Sequence, residues 1–170
     1  LPYSEFNQVV ELGNFYYAAT PYSIIEFDNS NNEITKLSTV NGLSEIGISC
    51  IAANKSYNSL LIAYNSSNLD LIKNGEITNI SSILNSSIIG DKTIYSLYSY
   101  SKYIYACTGF GIVVIDIEKK EIKDTYILGN NNSQIKVKDL HISNDTIFAL
   151  TENEIKYASI NNAFLSNPSV

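Results

Sequence analysis

Residues Thr108 to Asp116 read TGFGIVVID, the most glycine-dense stretch of the chain. Gly109-Phe110-Gly111 raises the question of phosphate binding, because glycine lets backbone N–H groups close on an anion where a helix begins. Directly after it comes Ile112-Val113-Val114-Ile115, a β-branched run that reads as a strand. Asp28-Asn29-Ser30-Asn31-Asn32-Glu33 places oxygen side chains at alternate positions, as the start of a calcium loop does. It lacks the glycine at the sixth position and the distant bidentate glutamate. His141, the only histidine, sits in the apolar run Val137 to Ile142 with no serine or cysteine nucleophile tied to it. The 17 acidic residues contain no general-acid and nucleophile signature. Cys50 and Cys107 lie far apart in strand-like runs, which predicts two buried free thiols; a disulfide or a metal pair lacks supporting ligands. No catalytic, cofactor-binding or metal-ligating residue is therefore assigned, and no cofactor is expected.

Composition narrows the class. Hydrophobic residues make up 45% of the 170, so the chain can build a core. Only 16% are charged, and Asn and Ser take their place; abundant Tyr, Ile and Thr favour strands. A net charge of −6 supplies no basic stripe for nucleic acid and no attraction to anionic lipid. No apolar run approaches the roughly 20 residues of a membrane helix, so direct insertion is not expected. The chain begins at Leu1 and is read as a mature or excised segment.

The elements that hold these residues recur. FYYAAT, LLIAYN, YIYACT and TIFALT align on Ala18, Ala63, Ala106 and Ala149, which are separated by 45, 43 and 43 residues. Six residues after each comes an aliphatic: Ile24, Leu69, Ile112 and Ile155. Three copies carry a later Glu-Ile strand, at Glu33, Glu76 and Glu121. An apolar strand precedes each anchor, centred near Val9, Ile51, Leu97 and Leu140. Four strands in roughly 43 residues, with no helical periodicity, are the signature of a β-propeller blade. The expected fold is all-β: one partial propeller over residues 1–170, about four blades of four antiparallel strands, part of a larger and seven-bladed ring. The repeat units run roughly 5–40, 47–82, 93–128 and 135–170.

In that frame Gly109-Phe110-Gly111 is the turn between the second and third strands of its unit, where the other units read Pro21-Tyr22-Ser23, Ser66-Ser67-Asn68 and Glu152-Asn153-Glu154. A phosphate cradle would not be built with and without glycine, so this is a hairpin. The links Ser38 to Gly47 and Ser81 to Thr93 are long, and Gly129 to Gln134 is a third. Such links share a rim with the second-to-third-strand turns, a rim that commonly binds partners. Tyr22, Asn41, Phe110 and Asn131 are the residues expected on that partner or ligand face.

Residues 41–64 (NGLSEIGISCIAANKSYNSLLIAY), 90–97 (GDKTIYSL), 108–126 (TGFGIVVIDIEKKEIKDTY) and 133–140 (SQIKVKDL) together resemble the N-terminal β-propeller of PorZ-type proteins of Bacteroidetes, also called two-component regulator propellers. The resemblance implies a non-enzymatic, exported protein of the type IX secretion system, held at the cell surface. It implies partners, namely a sortase-like peptidase and outer-membrane barrel proteins, and anionic lipopolysaccharide as the ligand presented to secreted cargo. It also implies two seven-bladed propellers followed by a β-sandwich, of which only four units stand here. No ligand residue of the family maps onto this segment. The second reading is a periplasmic ligand-sensing propeller of a hybrid two-component regulator. A propeller enzyme would need converging carboxylates or a His-centred metal site, which one histidine and scattered acids do not supply.

Overall fold

The computed structural model of the chain describes residues 5–161. β1 (Gln8–Leu12), β2 (Phe15–Ala19), β3 (Ile24–Asp28) and β4 (Glu33–Leu37) form the first antiparallel sheet, in chain order. β5 (Ile48–Asn54), β6 (Ser59–Tyr64), β7 (Leu69–Lys73) and β8 (Glu76–Ile80) repeat it. So do β9 (Ile94–Tyr100), β10 (Tyr103–Thr108), β11 (Gly111–Asp116) and β12 (Glu121–Tyr126). β13 (Val137–Ser143), β14 (Thr146–Thr151) and β15 (Ile155–Ser159) make a fourth sheet of three described strands; the end of the expected 135–170 unit lies outside the described residues. The first strands β1, β5, β9 and β13 pack side by side, so four blades stand around one axis as a partial β-propeller. Tight turns carry asparagine and glycine where φ must be positive, as at Asn74 (52°) and Gly75 (78°). The Asp28 to Glu33 stretch is such a turn: Asp28 Oδ1 accepts from the Ser30 N–H at 2.8 Å and hydroxyl at 2.6 Å, which holds its carboxyl below the usual range.

Strand alternation gives each blade two faces, and each inner seam buries one face of both neighbours. Tyr17 and Ala19 meet Leu60, Ile62 and Tyr64 between the first and second blades. Leu61 and Ala63 meet Ile104 and Ala106 in the second seam; Tyr105 and Cys107 meet Ile147 and Ala149 in the third. Each fully buried Leu or Ile contributes about 1.5–3 kcal/mol relative to exposure. The thiols of Cys50 and Cys107 are free and buried, and burial pushes them up to about 11 and about 12.

The register corrects the repeat alignment. Val9, Ile51, Leu97 and Leu140 pair with Ala18, Ile62, Ala106 and Ala149, so Ile62, not Ala63, is the second unit's equivalent residue. The spacing from Ala18 through Ile62 and Ala106 to Ala149 is then 44, 44 and 43. The second-to-third-strand turn of that unit holds one extra residue: Tyr64 N–H bonds the Asn68 carbonyl, where Thr20 reaches Ser23 and Thr151 reaches Glu154. Leu69 therefore stays in step while the strand before it slips by one. A one-residue slip turns every side chain to the other face. Ala63 accordingly faces the third blade, whereas Ala106 and Ala149 face the blade before them.

Candidate functional site

The rim that carries the blade-to-blade links is shaped by short polar contacts. Thr108 and Thr151 end β10 and β14 and Thr20 directly follows β2, and each hydroxyl donates across its turn, to Gly111 O (2.8 Å), Glu154 O (2.8 Å) and Ser23 O (2.9 Å). The second blade has Tyr64 at this place. Its hydroxyl is carried further, to Asp70 Oδ2 at 2.6 Å.

Asp70 is fully buried in β7, between Leu69 and Leu71. Besides Tyr64 it accepts from the Ser44 N–H (2.7 Å), the Ser44 hydroxyl (2.7 Å) and the Asn79 amide (3.0 Å). It makes no ion pair among the described residues, so hydrogen bonds alone hold the charge. Burial first, then this carboxylate, drives the Tyr64 phenol far above its usual range. Next to Ser44, Glu45 accepts from Ser66 at 2.6 Å and Asn68 at 2.8 Å. With Leu43 buried against the first seam, the Ser38–Gly47 link is fastened to the second blade. Sequence reading missed Asp70. Its signal was a carboxylate inside the apolar run Leu69-Asp70-Leu71-Ile72.

The four expected rim residues divide. Tyr22 is exposed by 65% at the tip of its turn. Asn41 is exposed in the 3₁₀ turn Thr39–Asn41, and its Oδ1 accepts from the Ser38 N–H at 3.2 Å. Asn131 is exposed in the third link at φ 53°. No hydrogen bond joins these three to one another among the described residues. Phe110 does not stand on the rim: only 1% is exposed, and it packs with Ile83 and Val113 in the seam between the second and third blades. Its neighbours explain this. A Cβ on Gly109 would lie 2.3 Å from the Asp91 carbonyl oxygen, and one on Gly111 2.1 Å from that of Tyr126. The glycines let the hairpin press against both chains, and Phe110 turns inward as a plug. The Ser81–Thr93 link does the same work, with Ile83 buried and Ile88 packed on the core.

A second polar group on this rim joins the third and fourth blades. Tyr95 donates to Asp91, Lys136 Nζ lies 5.1 Å from the Tyr95 ring, and Lys136 meets Glu152 at 3.1 Å. The Glu152 contact, then Tyr95, raises the Lys136 ammonium above its ordinary value. His141 sits elsewhere, exposed on β13, with Nδ1 3.2 Å from the Tyr98 hydroxyl. No three His, Cys, Asp or Glu side chains converge on one point among the described residues. What the rim offers chemically is a stiff, hydrogen-bonding surface with an exposed tyrosine and amides.

Comparison with solved structures places this blade arrangement among known propellers. PorZ of Porphyromonas gingivalis, described as an essential bacterial surface component of the type-IX secretion system, superposes with a TM-score of 0.82 at 24% identity, over 95% of this chain and 21% of that one. The extracellular domain of BT4673 from B. thetaiotaomicron gives 0.75 at 15% identity, over 96% and 21%. Apo AztD from Citrobacter koseri gives 0.68 at 14% identity, over 91% and 43%. The chain thus spans about a fifth of the first two relatives. No curated protein matches it significantly. No helix among the described residues is long and apolar enough to cross a membrane, which says nothing of β-barrels. The family model for the N-terminal β-propeller domain of PorZ, from TSS9, matches residues 9–169, and the chain belongs to that family.

Proposed function

We propose that this chain is a binding and scaffold propeller of a type IX secretion system, exported and held at the cell surface in an attachment complex. The match of the PorZ N-terminal propeller model to residues 9–169 carries this reading. In it the four blades belong to a larger, seven-bladed ring, and the work is non-enzymatic. The partners are a sortase-like peptidase and outer-membrane barrel proteins, and the ligand is anionic lipopolysaccharide destined for secreted cargo. The rim bearing Tyr22, Asn41 and Asn131 is the docking face, with the Asp70 network fixing the first link beneath it. A net charge of −6 means that an anionic glycan would be held by hydrogen bonds and bridging cations rather than by a basic patch.

The likeness to the BT4673 extracellular domain favours a second reading, a periplasmic ligand-sensing propeller. Limited proteolysis of intact cells, followed by mass spectrometry of released peptides, separates the two. Release of peptides from residues 5–161, while a periplasmic control stays protected, is the expected outcome. Protection until the outer membrane is opened would reverse the choice in favour of the sensor.

A further inference from the structure

The three seams between blades are not filled alike. Between the second and third, Phe110, Ile83 and Ile88 leave a gap of about 200 Å³. Between the third and fourth, the opening is about 370 Å³, and the charges at its edge, Glu154 and Lys156, pair with each other at 2.9 Å. Between the first and second, a cleft of about 470 Å³ remains, running from Asn41 to the turns at Asn58 and Asn74. Its walls set Phe15, Leu37, Leu60 and Ile77 beside polar groups. One charged group lines it, Glu26, half-buried at mid-strand in β3.

Glu26 faces Tyr17 across the β2–β3 pair. Burial first, then the Glu26 carboxylate, lifts the Tyr17 phenol far above its ordinary range. An anionic acceptor beside apolar side chains in a long cleft matches one kind of side chain: a methylene stem ending in a cation. Neighbouring asparagines at the cleft's ends, Asn41, Asn58 and Asn74, can receive the flanking peptide groups.

We propose that the cleft between the first two blades captures a lysine or arginine side chain of a protein partner, with Glu26 taking the cationic head and the apolar wall residues its stem. The site lies on the outer wall of the propeller. It meets the rim only at Asn41, and neither Tyr22 nor Asn131 lines it, so it does not depend on the function assigned to that rim.

The test uses the full-length protein and saturation-transfer NMR with three probes: N-acetyl-lysine methylamide, N-acetyl-arginine methylamide, and the neutral N-acetyl-norleucine methylamide. The cationic probes are expected to bind, the norleucine probe to bind more weakly, and Glu26→Gln to lower affinity for the cations by about tenfold. Tyr17→Phe, which keeps the wall and frees the carboxylate, is expected to retain or raise that affinity. Equal binding of norleucine, unchanged binding by Glu26→Gln, or no binding of any probe would each overturn the proposal. Thermal melts of both variants keep a folding defect from passing as lost binding.

Discussion

At the scale of single residues, one buried carboxylate organises the rim. Asp70 collects four donors, two of them from Ser44, so it joins a link to a strand without help from any cation. Asp70→Ala would leave the Tyr64 hydroxyl without its acceptor and release Ser44, whereas the Asn79 amide keeps Asn68 Oδ1 and the Leu69 carbonyl. We expect a loss of about 3 kcal/mol of unfolding free energy. A denaturant titration of the variant measures it, and protease cleavage within Ser38–Gly47 should appear alongside; an unchanged midpoint would show that the network is dispensable. This residue was legible in principle, since a charge inside LDLI has to be hydrogen-bonded or paired when both strand faces are buried. What no reading of one chain could supply was its partner, because Ser44 lies 26 residues away. Tyr22, Asn41 and Asn131 were legible as exposed because turns and links must lie at the surface.

Strands and turns were read with the right order and the right partners, since alternation and Asn-Gly turns are local signals. The second unit shows where that legibility ended. Alignment by residue type chose Ala63, whereas the fold chose by face, and an isoleucine fills the equivalent place. The extra turn residue hid the slip by restoring step at Leu69. Phe110 was misread for a related reason. An aromatic between two glycines looks presented to solvent, but glycine also permits close approach, and here it lets the hairpin fold against its neighbours. Phe110→Ala should therefore act as a core deletion, costing about 3–5 kcal/mol by chemical denaturation. Retention of wild-type stability would return Phe110 to the rim.

The four described blades form an arc whose two outward faces differ. Val9 and Tyr16 are exposed on the outward face of the first blade, and Phe148, Leu150 and Tyr157 on that of the last, with Tyr157 75% exposed. At the inner seams the equivalents of Phe148 and Leu150 are Tyr105 and Cys107, both buried. Apolar faces of this kind associate when left open. The 170-residue chain expressed alone should sediment above its monomer mass in a concentration-dependent way, and Leu150→Lys should shift it toward the monomer. A monomer at every concentration would mean that the ends need no cover.

The two rims of the arc also answer differently to the medium around them. Opposite the links, Lys55 meets Glu11 at 2.6 Å and Lys120 meets Glu76 at 2.9 Å, each pair bridging adjacent blades at an exposed edge. Such pairs are worth about 0–1 kcal/mol and fade as salt screens them. The Ser38–Gly47 link hangs instead on a carboxylate that mobile ions do not reach. Rising ionic strength thus loosens the ionic stitching opposite the links, and the Lys136–Glu152 pair on their own side, while the Ser38–Gly47 link keeps its form in brine as in fresh water.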